Sequence, residues 1–286
     1  MGGSPLANPG ATRALLEAYG LATKHSLGQN FLVSNHVIEK IMGLAELGRQ
    51  DRVLEVGPGI GTLTLALLAE AGRVVSIEMD RELEPVLSAH AAAHPNFSYL
   101  MGDALRVTPD QVAVAAGGEP DVLVANLPYN VAATVILRYL QEVPTLRRLV
   151  VMVQAEVADR ICAAPGNRTY GAYTAKLALL GRVTGRFEVG PGNFMPPPHV
   201  DSAVVRIDRL DERLPPERYE QVAAVIDAAF AQRRKTIRNS MSASGYSRDA
   251  LDAAFAACGI APTCRAETLA PADFALLASA LSQRQE

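Results

Sequence analysis

Val53-Leu54-Glu55-Val56-Gly57-Pro58-Gly59-Ile60-Gly61 is an apolar run that ends in three alternate glycines. The run has the composition of a buried strand. Its glycines let the chain turn sharply and approach a ligand with no Cβ in the way. Residues 62–71 that follow read as a helix, so the glycine turn sits between a strand and a helix. A dinucleotide loop would read G-x-G-x-x-G, whereas here the third glycine arrives one position early, and no lysine follows as in a phosphate-binding P-loop. The spacing points to a different nucleoside cofactor.

Outward from this stretch, runs rich in Val, Leu and Ile recur at residues 52–56, 74–77, 97–101, 122–125 and 149–153, with helical patterns at 62–71, 82–93 and 132–141. Strand and helix alternate, which predicts a parallel sheet covered on both faces, the doubly wound α/β class. A helix over 171–180 precedes two strand candidates, 182–189 and 203–207, that can close the sheet as an antiparallel edge. The proline-bearing stretch 210–216 reads as a linker, and 219–231, 248–258 and 272–281 are helical beyond it. Two domains are expected, residues 1–209 carrying the sheet and 210–286 forming a small helical domain.

The composition restricts the function classes. Of 286 residues 49% are hydrophobic and 20% charged, which suits a globular chain and excludes a disordered one. The longest uncharged run, 122–137, contains Asn126, Pro128 and Asn130 and is too short and too polar to span a bilayer. The start, Met1-Gly2-Gly3-Ser4-Pro5, lacks the basic and apolar segments of an export signal, so a cytoplasmic location is expected. Cys162, Cys258 and Cys264 form no paired motif, and His90 and His94 lack an accompanying carboxylate motif, so no disulfide and no metal are expected. The net charge of −3 means that any nucleic-acid surface must be local.

Two acidic residues fall where the cofactor reading needs them. Glu78 lies 21 positions after Gly57, at the end of the second strand, and can accept from both hydroxyls of a ribose. Asp103, in Gly102-Asp103-Ala104-Leu105, ends the third strand and can accept from an adenine amine. Asn126-Leu127-Pro128-Tyr129 follows the fourth strand, beside the same crevice. An exocyclic adenine amine is a poor nucleophile because its lone pair is delocalised into the ring. Catalysis therefore needs acceptors that hold the amine hydrogens and aim the lone pair at a methyl sulfonium. Asn126 offers one acceptor. The carbonyl of Leu127 offers another, because Pro128 keeps its predecessor extended. Tyr129 can stack on the base.

Three further segments fit around this pocket. The stretch from Lys24 to Leu32, Lys-His-Ser-Leu-Gly-Gln-Asn-Phe-Leu, precedes a helix starting near Ser34 and can close over the cofactor. Phe194, in the proline-rich loop Asn193-Phe194-Met195-Pro196-Pro197-Pro198-His199, is either a second stacking surface or a core residue. Arg233, Arg234, Lys235 and Arg238 place four positive charges within six positions, and Arg147, Arg148 and Arg168 can extend that face.

Taken in order, Gly28-Gln29-Asn30-Phe31-Leu32, Glu55 to Gly61, Glu78-Met79-Asp80, Gly102-Asp103-Ala104, Asn126-Leu127-Pro128-Tyr129-Asn130, Phe194 to Ser202 and Phe230-Ala231-Gln232-Arg233-Arg234-Lys235 closely resemble the bacterial small-subunit ribosomal RNA adenine dimethyltransferases, the kasugamycin-sensitivity enzymes. The resemblance runs over nearly the whole chain. It implies a Rossmann-like S-adenosylmethionine-dependent methyltransferase domain with a C-terminal helical RNA-binding domain. The implied activity dimethylates two adjacent adenines in a 3′-terminal hairpin loop of 16S rRNA, within an immature small subunit, by a monomeric enzyme. The residues implied to contact S-adenosylmethionine are Gln29, Asn30, Leu32, Gly57, Gly59, Glu78, Asp103 and Asn126. Asn126, Leu127, Pro128 and Tyr129 are implied to hold the adenine with Phe194, and Arg233, Arg234, Lys235 and Arg238 to meet RNA. Enzymes that methylate a large-subunit rRNA adenine are the nearest alternative, but Leu127 and Asn130 flank Pro128-Tyr129 in the small-subunit manner. Leu127 also stands where DNA and protein-glutamine methyltransferases commonly carry a second proline. A mainly non-catalytic assembly factor is the alternative from another class, and the intact site motifs argue against it.

Overall fold

The structure, a computed structural model, describes residues 3–23 and 29–282; Lys24 to Gly28 of the expected lid lie outside the described residues. The chain divides into two compact units, one of Met1–Ala158 with Val183–Arg209 and one of Asp159–Arg182 with Leu210–Glu286.

The first unit is built on a seven-stranded sheet. In chain order the strands of this unit are β1 (Phe31–Leu32), β2 (Arg52–Val56), β3 (Arg73–Glu78), β4 (Phe97–Met101), β5 (Val122–Asn126), β6 (Arg148–Gln154), β7 (Gly181–Val189), β8 (Phe194–Met195) and β9 (Ser202–Arg209). The main sheet has the order β4-β3-β2-β5-β6-β9-β7, and β1 pairs with β8 in a separate two-stranded ribbon. Every neighbouring pair from β4 to β6 is parallel. β9 runs antiparallel to β6, with Val151 opposite Val205, as the expected edge.

Helices α1 (Pro9–Ala18), α2 (Asn35–Ala45), α3 (Thr62–Glu70), α4 (Glu84–Ala93), α5 (Pro109–Ala116) and α6 (Ala132–Glu142) alternate with these strands. Parallel strands carry hydrophobic side chains on both faces because helices cover both. On one face Val53, Val74, Val122 and Val124 pack in a cluster with Ile38 and Ile41 of α2 and Leu63 and Leu67 of α3. Each such side chain, fully buried, contributes roughly 1.5–3 kcal/mol. Thr108 and Gln111 form a reciprocal capping box that starts α5.

The strand order fixes the location of the site. The chain steps outward from β2 through β3 to β4, then returns to lay β5 on the other side of β2. The loops after β2 and β5 therefore diverge and leave a crevice at the carboxyl end of the sheet, where open α/β sheets bind ligands.

The second unit holds α8 (Ala172–Ala178), α9 (Pro216–Phe230), α10 (Ile237–Ala243), α11 (Arg248–Cys258) and α12 (Pro271–Ser282), while α7 (Ala155–Ile161) straddles the division. Here the expected boundary needs correction. Residues 159–182 were expected in the sheet domain, yet they belong to the helical unit. Tyr170 explains the allegiance: it is buried, its ring meets Phe230 edge-on at 5.9 Å, and its hydroxyl donates to the Leu269 carbonyl at 3.1 Å. Gly166 N–H donates to the Glu267 carbonyl at 2.7 Å, and Lys176 pairs with Asp227 at 2.8 Å. The partners lie more than 50 positions away, so local sequence does not reveal them. Among the described residues no helix is long and apolar enough to cross a membrane. No group of three or more His, Cys, Asp and Glu among them is placed to hold a metal ion.

Candidate active site

A cavity of about 220 Å³ opens in the crevice and is lined by the turns that follow β2, β3, β4 and β5. Gly57, Gly59 and Gly61 all have left-handed backbone, with φ of 72°, 59° and 89°. That region costs an L-residue roughly 1–2 kcal/mol. Space is restricted as well: a Cβ on Gly59 would lie 3.0 Å from the Phe31 ring, and one on Gly61 would lie 2.8 Å from the His90 ring. His90 Nε2 is also 3.0 Å from the Ile60 carbonyl, so this histidine braces the glycine turn from α4.

Glu78 closes one side. Its Oε2 accepts from Gly59 N–H at 3.1 Å and its Oε1 from Asp80 N–H at 2.8 Å, which ties the end of β3 to the glycine turn. Burial raises its pKa. Asp103 faces the cavity from the turn after β4 and accepts from Leu105 N–H at 2.8 Å. Gln29 donates to Asp80 Oδ2 at 2.8 Å, and the Asn30 carbonyl accepts from Asn126 Nδ2 at 3.4 Å. Leu32 is buried in β1 and also touches the cavity. Gln29, Asn30, Leu32, Gly57, Gly59, Glu78, Asp103 and Asn126 thus all line one cavity.

Asn126 ends β5, and Leu127, Pro128 and Tyr129 continue along the same wall. Leu127 is held by its N–H, which donates to the Met152 carbonyl at 3.1 Å, while its side chain is buried. A Cβ on Gly57 would sit 3.5 Å from Pro128 Cδ, which places the glycine turn and the tetrapeptide in van der Waals reach. Tyr129 is half-buried, and its hydroxyl lies 2.5 Å from that of Ser202, the first residue of β9.

Several residues of the cavity were given no role from sequence, Glu55, Thr62, Met79 and Leu83 among them. Glu55 is fully buried within β2 and accepts from Thr64 Oγ1 at 2.7 Å and Ser76 Oγ at 2.6 Å. Burial, only partly offset by those two hydroxyls, pushes its pKa up to about 7. Its charge inside an apolar strand run was the available signal. Thr62 begins α3, and Met79, 63% exposed, edges the cavity beside Glu78. Leu83 completes the wall.

Phe194 is a correction. It is 4% exposed and packs in the core cluster with Leu32 and Val37, and it does not line the cavity. Pairing of β8 with β1 turns this ring inward. The basic cluster is also smaller than its sequence suggests. Arg238 is held by Asp252, and Arg233 pairs with Glu267 at 3.5 Å and donates to the carbonyls of Arg168 and Tyr170. Arg147 pairs with Asp51, and Arg148 with Glu46 and Asp208. Only Arg234 and Lys235 of the four remain exposed without an ion pair among the described residues.

Charge identifies what the cavity accepts. Glu55, Glu78 and Asp103 line it, and among the described residues no Lys, Arg or His does. A pyrophosphate would be repelled, whereas a sulfonium with an ammonium on its amino-acid arm is attracted. Glu55 Oε1 and Thr62 Oγ1 are buried on this lining with no hydrogen-bond partner among the described residues. Buried polar atoms normally have one, and an ammonium can serve both. The glycine turn and the acids at the ends of β3 and β4 fit an adenosine.

The chain matches the family model described as ribosomal RNA adenine dimethylase over residues 20–283. The chain belongs to this family. The ribosomal RNA small subunit methyltransferase A of Rhodococcus opacus is 44% identical over 288 residues, covering 97% of this chain and 95% of that protein. The protein of the same name from Thermobifida fusca is 42% identical, with 96% and 95% covered. Among solved structures, a dimethyladenosine transferase from Plasmodium falciparum superposes with a TM-score of 0.73 at 23% identity, covering 86% of this chain and 95% of that one. The 23S rRNA methyltransferase ErmE gives 0.67 at 27% identity, with 89% and 100% covered. The fold is accordingly the Rossmann-like methyltransferase fold expected, and the adenine dimethylase is an S-adenosylmethionine-dependent enzyme.

Proposed function

We propose that the chain methylates the exocyclic amine of two adjacent adenines in a 3′-terminal hairpin loop of 16S rRNA, twice each, late in assembly of the small subunit. The observation that carries this is the sharing of one acid-lined cavity by Gly57, Glu78 and Asp103 on one side and Asn126, Leu127 and Tyr129 on the other. Small-subunit relatives at 41–44% identity over nearly their whole length support the small-subunit substrate over the large-subunit one.

In this account Glu78 holds the ribose hydroxyls, Asp103 the adenine amine of the cofactor, and Glu55 with Thr62 the ammonium. S-adenosylmethionine, when bound there, supplies an electrophilic methyl group on sulfur. Asn126 Oδ1 and the Leu127 carbonyl accept the two hydrogens of the target amine and turn its lone pair toward that methyl. Tyr129 stacks on the flipped base, an interaction worth about 1–3 kcal/mol. The new N–C bond forms as the S–C bond breaks, and the amine proton leaves to solvent. No strong base is needed, because the amine loses its proton readily once it carries positive charge. Arg234 and Lys235 of the second unit contribute to RNA docking.

Nucleoside analysis tests the product. Incubation with S-adenosylmethionine and unmethylated small subunits should yield N6,N6-dimethyladenosine in the rRNA; a product that stops at the monomethyl stage with excess donor would contradict the assignment.

A further inference from the structure

A second concavity, of about 460 Å³, lies wholly within the helical unit, between the turn that follows α9 and the start of α11. Its walls carry Lys235 and Arg248, the amides of Gln232 and Asn239, and the hydroxyls of Ser242 and Tyr246, with no carboxylate among them. Both cations are exposed, and neither forms an ion pair with a described residue. Arg233 and Arg238 are instead ion-paired with Glu267 and Asp252, and Arg248 acts on Asp252 only at longer range, helping to lower its pKa.

Three details point to an anion as the occupant. Ser242 Oγ is buried and has no hydrogen-bond partner among the described residues, so a donor stands unused on the wall. Ser247, the N-cap of the eleven-residue α11, makes no capping hydrogen bond, which leaves first-turn N–H groups and the positive helix end beside Arg248. Tyr246 is partly desolvated and its pKa is raised, so its hydroxyl stays protonated and able to donate. Two point charges, two amides and two hydroxyls around one hollow suit a singly charged tetrahedral oxyanion. Neighbouring Arg234, exposed on the same turn, extends the positive surface.

We propose that this concavity is a phosphodiester subsite, in which Arg248 and Lys235 clamp one backbone phosphate of the rRNA while Asn239 and Ser242 fix its orientation. The proposal rests on the reading that the second unit docks RNA, and it adds Arg248, which lies 13 positions beyond Lys235 and outside the basic run. A phosphate contact contributes to affinity uniformly across sequences and through counterion release.

The test is the salt dependence of binding to unmethylated small subunits by Arg248→Ala, Arg248→Lys and Arg234→Ala proteins. Arg248 is exposed at the first position of α11, so the variants should keep the wild-type melting temperature and affinity for S-adenosylmethionine. Arg248→Ala should weaken subunit binding and lower the slope of log affinity against log salt by about 1 in magnitude, and Arg248→Lys should restore the slope. An unchanged slope in Arg248→Ala with a lowered slope in Arg234→Ala would overturn the subsite and leave the docking role standing. Unchanged slopes in both would remove the docking role as well. Saturable binding of inorganic phosphate alone, lost in Arg248→Ala while the subunit slope stays at the wild-type value, would assign the hollow to a free anion and overturn the RNA assignment.

Discussion

The hydroxyls of Tyr129 and Ser202 lie 2.5 Å apart, although 73 positions of chain separate them. Tyr129 sits on the turn after β5, in the tetrapeptide proposed to hold the target adenine, and Ser202 is fully buried at the start of β9. A stacking ring is useful only if it is held still, and this bond fastens it to the buried first residue of β9. Ser202→Ala should therefore lower kcat/KM about 2- to 10-fold, the equivalent of a net hydrogen bond of about 0.5–1.5 kcal/mol. Tyr129→Ala, which also loses the stack, should cost more. Single-turnover methylation of unmethylated small subunits measures both, and a Ser202→Ala protein with wild-type kcat/KM would show that the bond is incidental.

Asn126 and Glu78 divide the labour of one cavity. Asn126→Ala should abolish methyl transfer and leave S-adenosylmethionine affinity nearly intact, because among the described residues its side chain makes only a long bond to the Asn30 carbonyl on the cofactor side. Glu78→Ala should reduce cofactor affinity at least tenfold, since the carboxylate proposed to hold the ribose also ties down Gly59 N–H. Calorimetric titration with S-adenosylmethionine separates the two, and loss of cofactor binding in Asn126→Ala would reverse the assignment.

Gly61 and His90 form a steric lock. Gly61→Ala adds a Cβ 2.8 Å from the imidazole at a φ of 89°, so it should destabilise the protein by about 1–3 kcal/mol. Removing the ring in Gly61→Ala/His90→Ala should recover only the steric share, because the backbone penalty remains. Urea unfolding of both variants checks this; equal stability of the single and double variants would mean that the ring yields without cost.

The legibility of the chain follows from the range of its determinants. Strands at 52–56 and 97–101 were found with their observed ends, because parallel strands buried on both faces are continuous apolar runs. The gathering of the glycine turn, Glu78, Asp103 and Asn126 around one cavity follows from positions at or just beyond strand ends, which local sequence does reveal. What escaped depends on distant partners. Phe194 turns inward because β8 pairs with β1, Arg233 and Arg238 are neutralised by Glu267 and Asp252, and the segment around Tyr170 leaves the sheet for Phe230 and Leu269. Ser202 belongs to the same class, since nothing near it in sequence announces Tyr129.

Glu55 should make stability depend on pH. Its folded pKa, about 7, lies above the value of about 4.3 for an unperturbed glutamate, so the fold favours the protonated acid. The resulting stability is complete below the unfolded pKa and is lost as pH rises toward 7. Glu78, also raised by burial, acts in the same direction. In cofactor-free protein Glu55→Gln should flatten the profile, gaining on the wild type between about pH 5 and 7. Melting temperatures across that window that run parallel for the two proteins would place the titration elsewhere.

The most direct measurement of the central claim is to offer the protein labelled S-adenosylmethionine with unmethylated small and large ribosomal subunits together and to map the labelled base. Label on adjacent adenines of the small-subunit 3′-terminal hairpin, absent with Asn126→Ala, is the result expected. Label confined to large-subunit RNA would contradict it.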